Sequence, residues 1–270
     1  MINGLLLLFK LSTKIPVISP KSNDKELGKS MRLFPMVGIA IGILLFAFYQ
    51  ILNGIITSRF SMTATLVSIE LILTGAIHFE GLAAVFNAIF KYRSKQKMLD
   101  TLKENNLGTT GVLVLVIIII LKITFIAEAR TPIGPTFLLL PVMGRLSCLL
   151  NCATNPAARS TGIGKTFADN TKFKDFLVGL GITIGYFTFL LLLTENFSIH
   201  TMTMGLILGL IFGFVLILSF LFGKWMNKRI GGITGDTLGA VIELTEVATA
   251  MGIYFISSRL VERGIMKLFF

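Results

Sequence analysis

Residues Gly111–Ala127 read GVLVLVIIIILKITFIA. A run this apolar and this long is close to the ~20 residues that cross a bilayer as a helix. Its Ile and Val suit a lipid-facing helix, because lipid offers the backbone no competing strand partner. The rest of the chain repeats the pattern. Further apolar runs lie at Met36–Ile55, Met62–Ile77, Thr136–Ala153, Phe176–Leu193, Met202–Phe222 and Thr237–Ile256. The 270 residues are 54% hydrophobic and 14% charged, against about 25% charged in soluble domains, and the mean hydropathy is +0.82. No polar stretch is long enough to build a core of its own. The expected fold is all-α, a polytopic membrane helical bundle of about 6–8 transmembrane helices, forming one integral membrane domain over residues 1–270.

Charge sets the orientation. The loops divide into one set with six, five, four and three Lys/Arg and an alternating set with one, one and none. The basic set is expected on the cytoplasmic side of the plasma membrane. Its members are an interfacial N-terminal arm (1–35), a basic loop (78–110) in which GLAAVFNAIF (Gly81–Phe90) is expected as a short amphipathic helix at the interface, the segment Thr154–Lys174 and the segment Gly223–Asp236. The net charge of +11 is explained by these loops, so the lipid bilayer is the partner it implies and nucleic acid is not. The tail from Arg259 is also basic and is expected to lie along a membrane surface. Cys148 and Cys152 stand one helical turn apart in an apolar run and read as packing residues. Gly38 and Gly42 are spaced for close helix packing.

Polar chemistry at the membrane edge needs a reason. GAIHFEGLA (Gly75–Ala83) carries His78 and Glu80, and ENNLGTTG (Glu104–Gly111) follows Lys103. In GGITGD (Gly231–Asp236), glycines allow close backbone approach to an anion, with Asp236 placed to hold a divalent cation; a glycine turn with an Asp cap is the plainer alternative. Glu243 and Glu246 lie inside a span, where ionisable groups serve a pathway, a site or a partner; a protonated or lysine-paired pair near the interface is the plainer alternative. STGIGKTF (Ser160–Phe167) lacks P-loop spacing, yet joins Arg159, two glycines and Lys165. Arg145 in apolar surroundings calls for a carboxylate or phosphate partner, or snorkels to the interface. His78 fits a base, a ligand or a satisfied interfacial histidine.

Taken in order, these segments resemble the cobalamin synthase family, the adenosylcobinamide-GDP ribazoletransferases. FKLSTKIPV (Phe9–Val17) is similar to F-x-x-x-T-R-x-P, and LFPMVGIAIG (Leu33–Gly42) to F-P-x-V-G-x-x-x-G. GAIHFEGLA stands where the family has G-x-x-H-x-D-G-x-A-D-x-x-D, so Glu80, Ala84 and Asn87 occupy aspartate positions, as Glu104 does in D-S-x-x-G-x-x-G-V. Gly144-Arg145 and NPAARSTGIGKTF (Asn155–Phe167) are similar to G-R and P-x-A-R-x-x-G-x-G, and GGITGDTLGAVIELTE (Gly231–Glu246) matches almost throughout. The resemblance implies phosphoryl transfer with Mg²⁺ as cofactor, on adenosylcobinamide-GDP and α-ribazole or its phosphate. It implies His78, Glu80 and Asp236 as catalytic residues and Glu80, Glu104 and Asp236 as metal contacts. Arg145, Arg159, Lys165, Lys103, Gly232 and Gly235 would grip phosphates. A homo-oligomer is compatible with it. The rival classes are a non-catalytic corrinoid- or nucleotide-binding relative and a small proton-coupled transporter.

Overall fold

The computed structural model describes residues 2–18, 23–104, 108–193 and 199–262. Among them the chain is helical: α1 (Ile2–Ser12), α2 (Asp24–Ser30), α3 (Phe34–Leu52), α4 (Arg59–Thr74), α5 (Ile77–Lys91), α6 (Lys95–Glu104), α7 (Thr109–Glu128), α8 (Ile133–Thr154), α9 (Ile163–Asn170), α10 (Phe173–Leu192), α11 (Ile199–Ile230) and α12 (Gly235–Glu262). Six helices are long and apolar enough to cross a membrane, and a seventh span is formed if α4 and α5, bent by 91° at their junction, are taken together. The apolar runs of the sequence are these helices. The C-terminal tail from 263, the segment 194–198 and the segment 105–107 lie outside the described residues.

The bundle is arranged around α8, which is buried over most of its length between α3 and α12. Glycines set that spacing. A Cβ on Gly38 would meet the Pro141 carbonyl oxygen at 2.5 Å, and one on Gly42 the Phe137 carbonyl oxygen at 2.9 Å, so α3 lies backbone to backbone on α8, as the glycine spacing predicts. The sequence suggests an interruption at Pro141 and Gly144-Arg145, but α8 is continuous. A proline removes one ladder hydrogen bond, and the Pro141 carbonyl stays in use, accepting from Arg145 Nη1 at 3.4 Å. α7, α10 and α11 form the periphery. Their outward Ile117, Ile120, Leu210, Phe214 and Ile217 are exposed in the isolated chain, as lipid-facing side chains are.

The stretch 78–110, expected as a loop with a short interfacial helix, is instead two helices, and the first is interior. α5 buries His78, Phe79, Leu82, Ala83, Val85 and Ala88 against α12 and α7. The turn into it is made by two consecutive left-handed residues, Gly75 (φ +63) and Ala76 (φ +57). Such a conformation in alanine costs on the order of 1–3 kcal/mol, so surrounding structure must hold it. The Gly75 and Ala76 N–H groups donate to the Ile72 and Leu71 carbonyls, and the Lys14 N–H donates to the Leu73 carbonyl at 2.7 Å. The Lys14 stem lies over Gly75, where a Cβ would collide with it. The N-terminal arm therefore clamps the elbow.

Candidate active site

The elbow delivers His78 and Glu80 to the start of α12. Two glycines let the helices touch. A Cβ on Gly81 would stand 2.7 Å from the Asp236 carbonyl oxygen, and one on Gly239 would stand 3.1 Å from the His78 Cα. α12 itself starts in a reciprocal cap. The Thr234 N–H donates to Thr237 Oγ1 at 2.8 Å, and the Thr237 N–H donates back to Thr234 Oγ1 at 3.3 Å. Thr234 Oγ1 also donates to Asp236 Oδ2 at 3.3 Å, which fixes the carboxylate in the first turn.

Two segments far apart in sequence are then laced together. The Ala158 N–H donates to the Ile233 carbonyl (2.9 Å) and the Ile233 N–H to the Pro156 carbonyl (2.8 Å), a single parallel β-bridge. Gly232 permits it, with φ +148 and the Pro156 carbonyl oxygen 2.2 Å from where a Cβ would stand. Gly164 closes the same seam against the backbone of Thr234 and Gly235.

The result is two adjoining cavities. The larger, about 310 Å³, has His78, Glu80 and Asp236 in its polar wall and Leu8, Leu11, Phe34, Phe167 and Ile242 among its apolar ones. The smaller, about 170 Å³, is lined by Arg159, Thr161, Gly162, Gly164, Lys165 and Thr234. Ile163, Gly235 and Asp236 belong to both. His78 is buried, and its Nε2 has no hydrogen-bond partner among the described residues. Arg159 Nη2 donates to the Leu99 carbonyl at 3.0 Å while its Nε has no partner. Lys165 pairs with Asp169 one turn along α9, both partly exposed.

Of the residues singled out in the sequence, His78, Glu80, Asp236, Gly235, Arg159 and Lys165 come together. Gly232 lines neither cavity and serves the seam between the two segments. Lys103 and Glu104 sit exposed on α6, with Lys103 3.8 Å from Asp100, and line neither cavity, because α6 turns that face to solvent. The proposed trio Glu80, Glu104 and Asp236 is therefore reduced to a pair. Among the described residues no group of three or more His, Cys, Asp or Glu is placed to hold a metal. Two carboxylates beside a cavity lined by Arg159 and Lys165 fit Mg²⁺, which is commonly held by one or two carboxylates and substrate phosphate oxygens.

Arg145 is likewise not in a cavity wall. It is buried behind the larger one, with Nη1 2.5 Å from Glu246 Oε1. Glu246 Oε2 meets Lys122 Nζ at 2.5 Å, and Lys122 is also 2.9 Å from Glu70 Oε2 and 3.5 Å from Glu243 Oε2. Five charged side chains from α4, α7, α8 and α12 thus close on one another. The alternative of a lysine-paired Glu243 and Glu246 is what the fold adopts. Reading the sequence for membrane-edge acids passed over Lys122 and Glu70. The signal was a lysine in the middle of an otherwise apolar span, which demands a buried partner.

The cobalamin-5-phosphate synthase family profile matches residues 4–254. The chain belongs to the cobalamin-5-phosphate synthase family. Members similar to it include the adenosylcobinamide-GDP ribazoletransferase of Fusobacterium nucleatum, 38% identical over 90% of this chain and 94% of the relative. Those of a Thermoanaerobacter species (35% identical; 91% and 94% covered) and of Alkaliphilus oremlandii (31%; 94% and 98%) bear the same name. No solved structure matches. The three segments that meet at the two cavities, around His78, around Arg159 and Lys165, and around Asp236, are among those that carry the resemblance.

Proposed function

We propose that the chain joins α-ribazole, or its 5′-phosphate, to adenosylcobinamide-GDP, giving adenosylcobalamin, or its 5′-phosphate, and GMP. The observation that carries this is the meeting at Asp236 of a cavity with a buried, unpartnered imidazole and a cavity lined by Arg159, Lys165 and glycine backbone. Phosphoryl transfer asks mainly for positioning and charge stabilisation, and both kinds of group are present.

In the reaction a ribose hydroxyl oxygen bonds to the cobinamide-side phosphorus. The bond from that phosphorus to the bridging oxygen breaks, and GMP leaves with that oxygen. His78, buried where α5 meets α12 and lining the larger cavity, is the acceptor for the hydroxyl proton. Arg159 and Lys165 neutralise the pyrophosphate and the departing GMP, and the N–H groups at the start of α9 and of α12 add to them. Glu80 and Asp236 are the residues that would hold Mg²⁺. The ion would draw charge off the phosphate oxygens. The basic residues near both cavities support an active side on the cytoplasmic face of the plasma membrane. Glu243 and Glu246, which suggested proton transport, are paired with Lys122 and Arg145.

The test is GMP release from purified protein in liposomes supplied with adenosylcobinamide-GDP, α-ribazole phosphate and Mg²⁺. Magnesium-dependent release with a corrinoid nucleotide product is expected, and Asp236→Ala abolishes it. A wild-type preparation that binds the corrinoid without releasing GMP would instead mark a binding relative.

A further inference from the structure

The two cavities differ in size and chemistry, while the proposed reaction has two substrates that must meet at one phosphorus. We propose that the larger cavity is the slot for the α-ribazole nucleoside, its base packed against the N-terminal arm, and that Leu8, Leu11, Phe34 and Phe167 decide which base is accepted. The assignment rests on the transferase reading above.

Size is the first reason. At about 310 Å³ the cavity is at the small end of ligand sites, which run from about 300 to 1,000 Å³. A ribose with one fused two-ring base suits that volume. A corrin macrocycle with its amide side chains and adenosyl group does not enter it, so the corrinoid stays outside and only its phosphates reach Asp236.

Polarity is the second. The wall is of two kinds, with His78, Glu80 and Asp236 as its charged and imidazole members and Leu8, Leu11, Phe34 and Phe167 from α1, α3 and α9 among its apolar ones. α-Ribazole has the same two kinds of part, a hydroxyl-bearing ribose and an apolar benzimidazole. Seated base-first, it brings its hydroxyls to His78. Among the apolar lining residues no free hydrogen-bond donor is offered by a hydroxyl. The lining's one hydroxyl, Ser12 Oγ, already donates to the Leu8 carbonyl at 2.6 Å. Guanine, rich in donors and acceptors, would lose its hydrogen bonds there. That excludes the nucleoside of the leaving GMP from this cavity and directs it towards the basic one.

The third reason is the placement of α1. Leu8 is 1% exposed although it belongs to an amphipathic arm at the chain terminus. Gly4 packs so tightly on Ser30 that a Cβ would overlap it, and the Lys14 N–H is tied to the elbow. The arm is therefore a fixed wall of the cavity.

The experiment measures KM for each substrate by GMP release, with the other saturating, for wild type, Leu11→Trp and Phe167→Leu. Leu11 is 39% exposed, so tryptophan enters at the cavity rim with the core left intact. For Leu11→Trp the KM for α-ribazole should rise about tenfold or more, the scale on which apolar pockets discriminate small groups, while the KM for adenosylcobinamide-GDP holds. Phe167→Leu, a smaller apolar side chain, reads the same slot if the first variant does not fold. It should change the preference between α-ribazole and its analogue with an unsubstituted benzimidazole, again with the corrinoid KM unmoved. Equal shifts in both KM values, or a shift in the corrinoid KM alone, overturn the assignment and leave the transferase reading standing. A wild type that binds the corrinoid but never releases GMP overturns both.

Discussion

α12 carries two kinds of charge, about 10–15 Å apart along its axis at 1.5 Å per residue. Asp236, in its first turn, is partly exposed, shared by two cavities and held by one threonine hydroxyl. Glu243 and Glu246, deeper, are sealed with Glu70 against Lys122 and Arg145, and none of these five side chains is more than 4% exposed. Each charge of the deep group faces an opposite charge within the chain, while Arg145 Nε and Nη2 make no hydrogen bond among the described residues, and the group joins four helices beneath the elbow. The shallow group leaves its faces open. In apolar surroundings, charge that meets opposite charge within the chain serves architecture, and charge left partly open serves a ligand.

Breaking the deep group should have the largest effect. Lys122→Met leaves three buried carboxylates facing one arginine, and the loss of one partner of a buried pair costs about 3–5 kcal/mol. Thermal unfolding in detergent should show a much lowered midpoint, partly recovered when Glu246→Gln is added. A midpoint close to wild type would mean the cluster is not a structural tie.

The open group should behave in the opposite way. His78→Ala should reduce GMP release by about 10²–10⁴-fold, the range for loss of a general base, with little change in unfolding midpoint. A large drop in midpoint with activity per folded molecule intact would place His78 with the architecture.

Between these lies the contact that joins the two regions. Gly81→Val forces a side chain into the Asp236 backbone. Overpacking of this kind costs about 1–3 kcal/mol, and GMP release should fall further than the lost stability explains, because His78 and Asp236 are pushed apart.

The smallest effects belong to exposed charge. Lys165→Ala removes a partly exposed pair with Asp169, worth at most about 1 kcal/mol. It should raise the KM for adenosylcobinamide-GDP, by an amount that shrinks as salt screens it. Lys103→Ala, on the outer face of α6, should leave both turnover and stability near wild type. A matching rise in KM for both variants would return Lys103 to the site.

Much of this was legible along the chain. The spans were, because the cost of leaving backbone polar groups in lipid makes a long apolar run a helix whatever its neighbours. The site segments were legible as polar, glycine-bearing interruptions between apolar runs, and Asp236, His78, Glu80, Arg159 and Lys165 do meet. Other readings failed for a common reason. α5 seemed an interfacial helix because its amphipathic pattern does not say whether lipid or protein covers the apolar face, and Ala76 gives no hint that it adopts a left-handed turn. Arg145 asked for an anion, but the request is the same whether a phosphate or Glu246 answers it. Lys103 and Glu104 are near the site motifs in sequence and turned from the cavities in space.

The sequence by itself determined the membrane bundle and the chemical types gathered at its edge, since hydration energy acts on each segment alone. Only the tertiary structure decided which charges are sealed and which stay open. It did so through a 91° elbow clamped by the N-terminal arm and glycine contacts that bring α5 onto α12. A side chain's partner depends on which helices approach within a few ångströms, and that distance is set by packing between segments far apart in the chain.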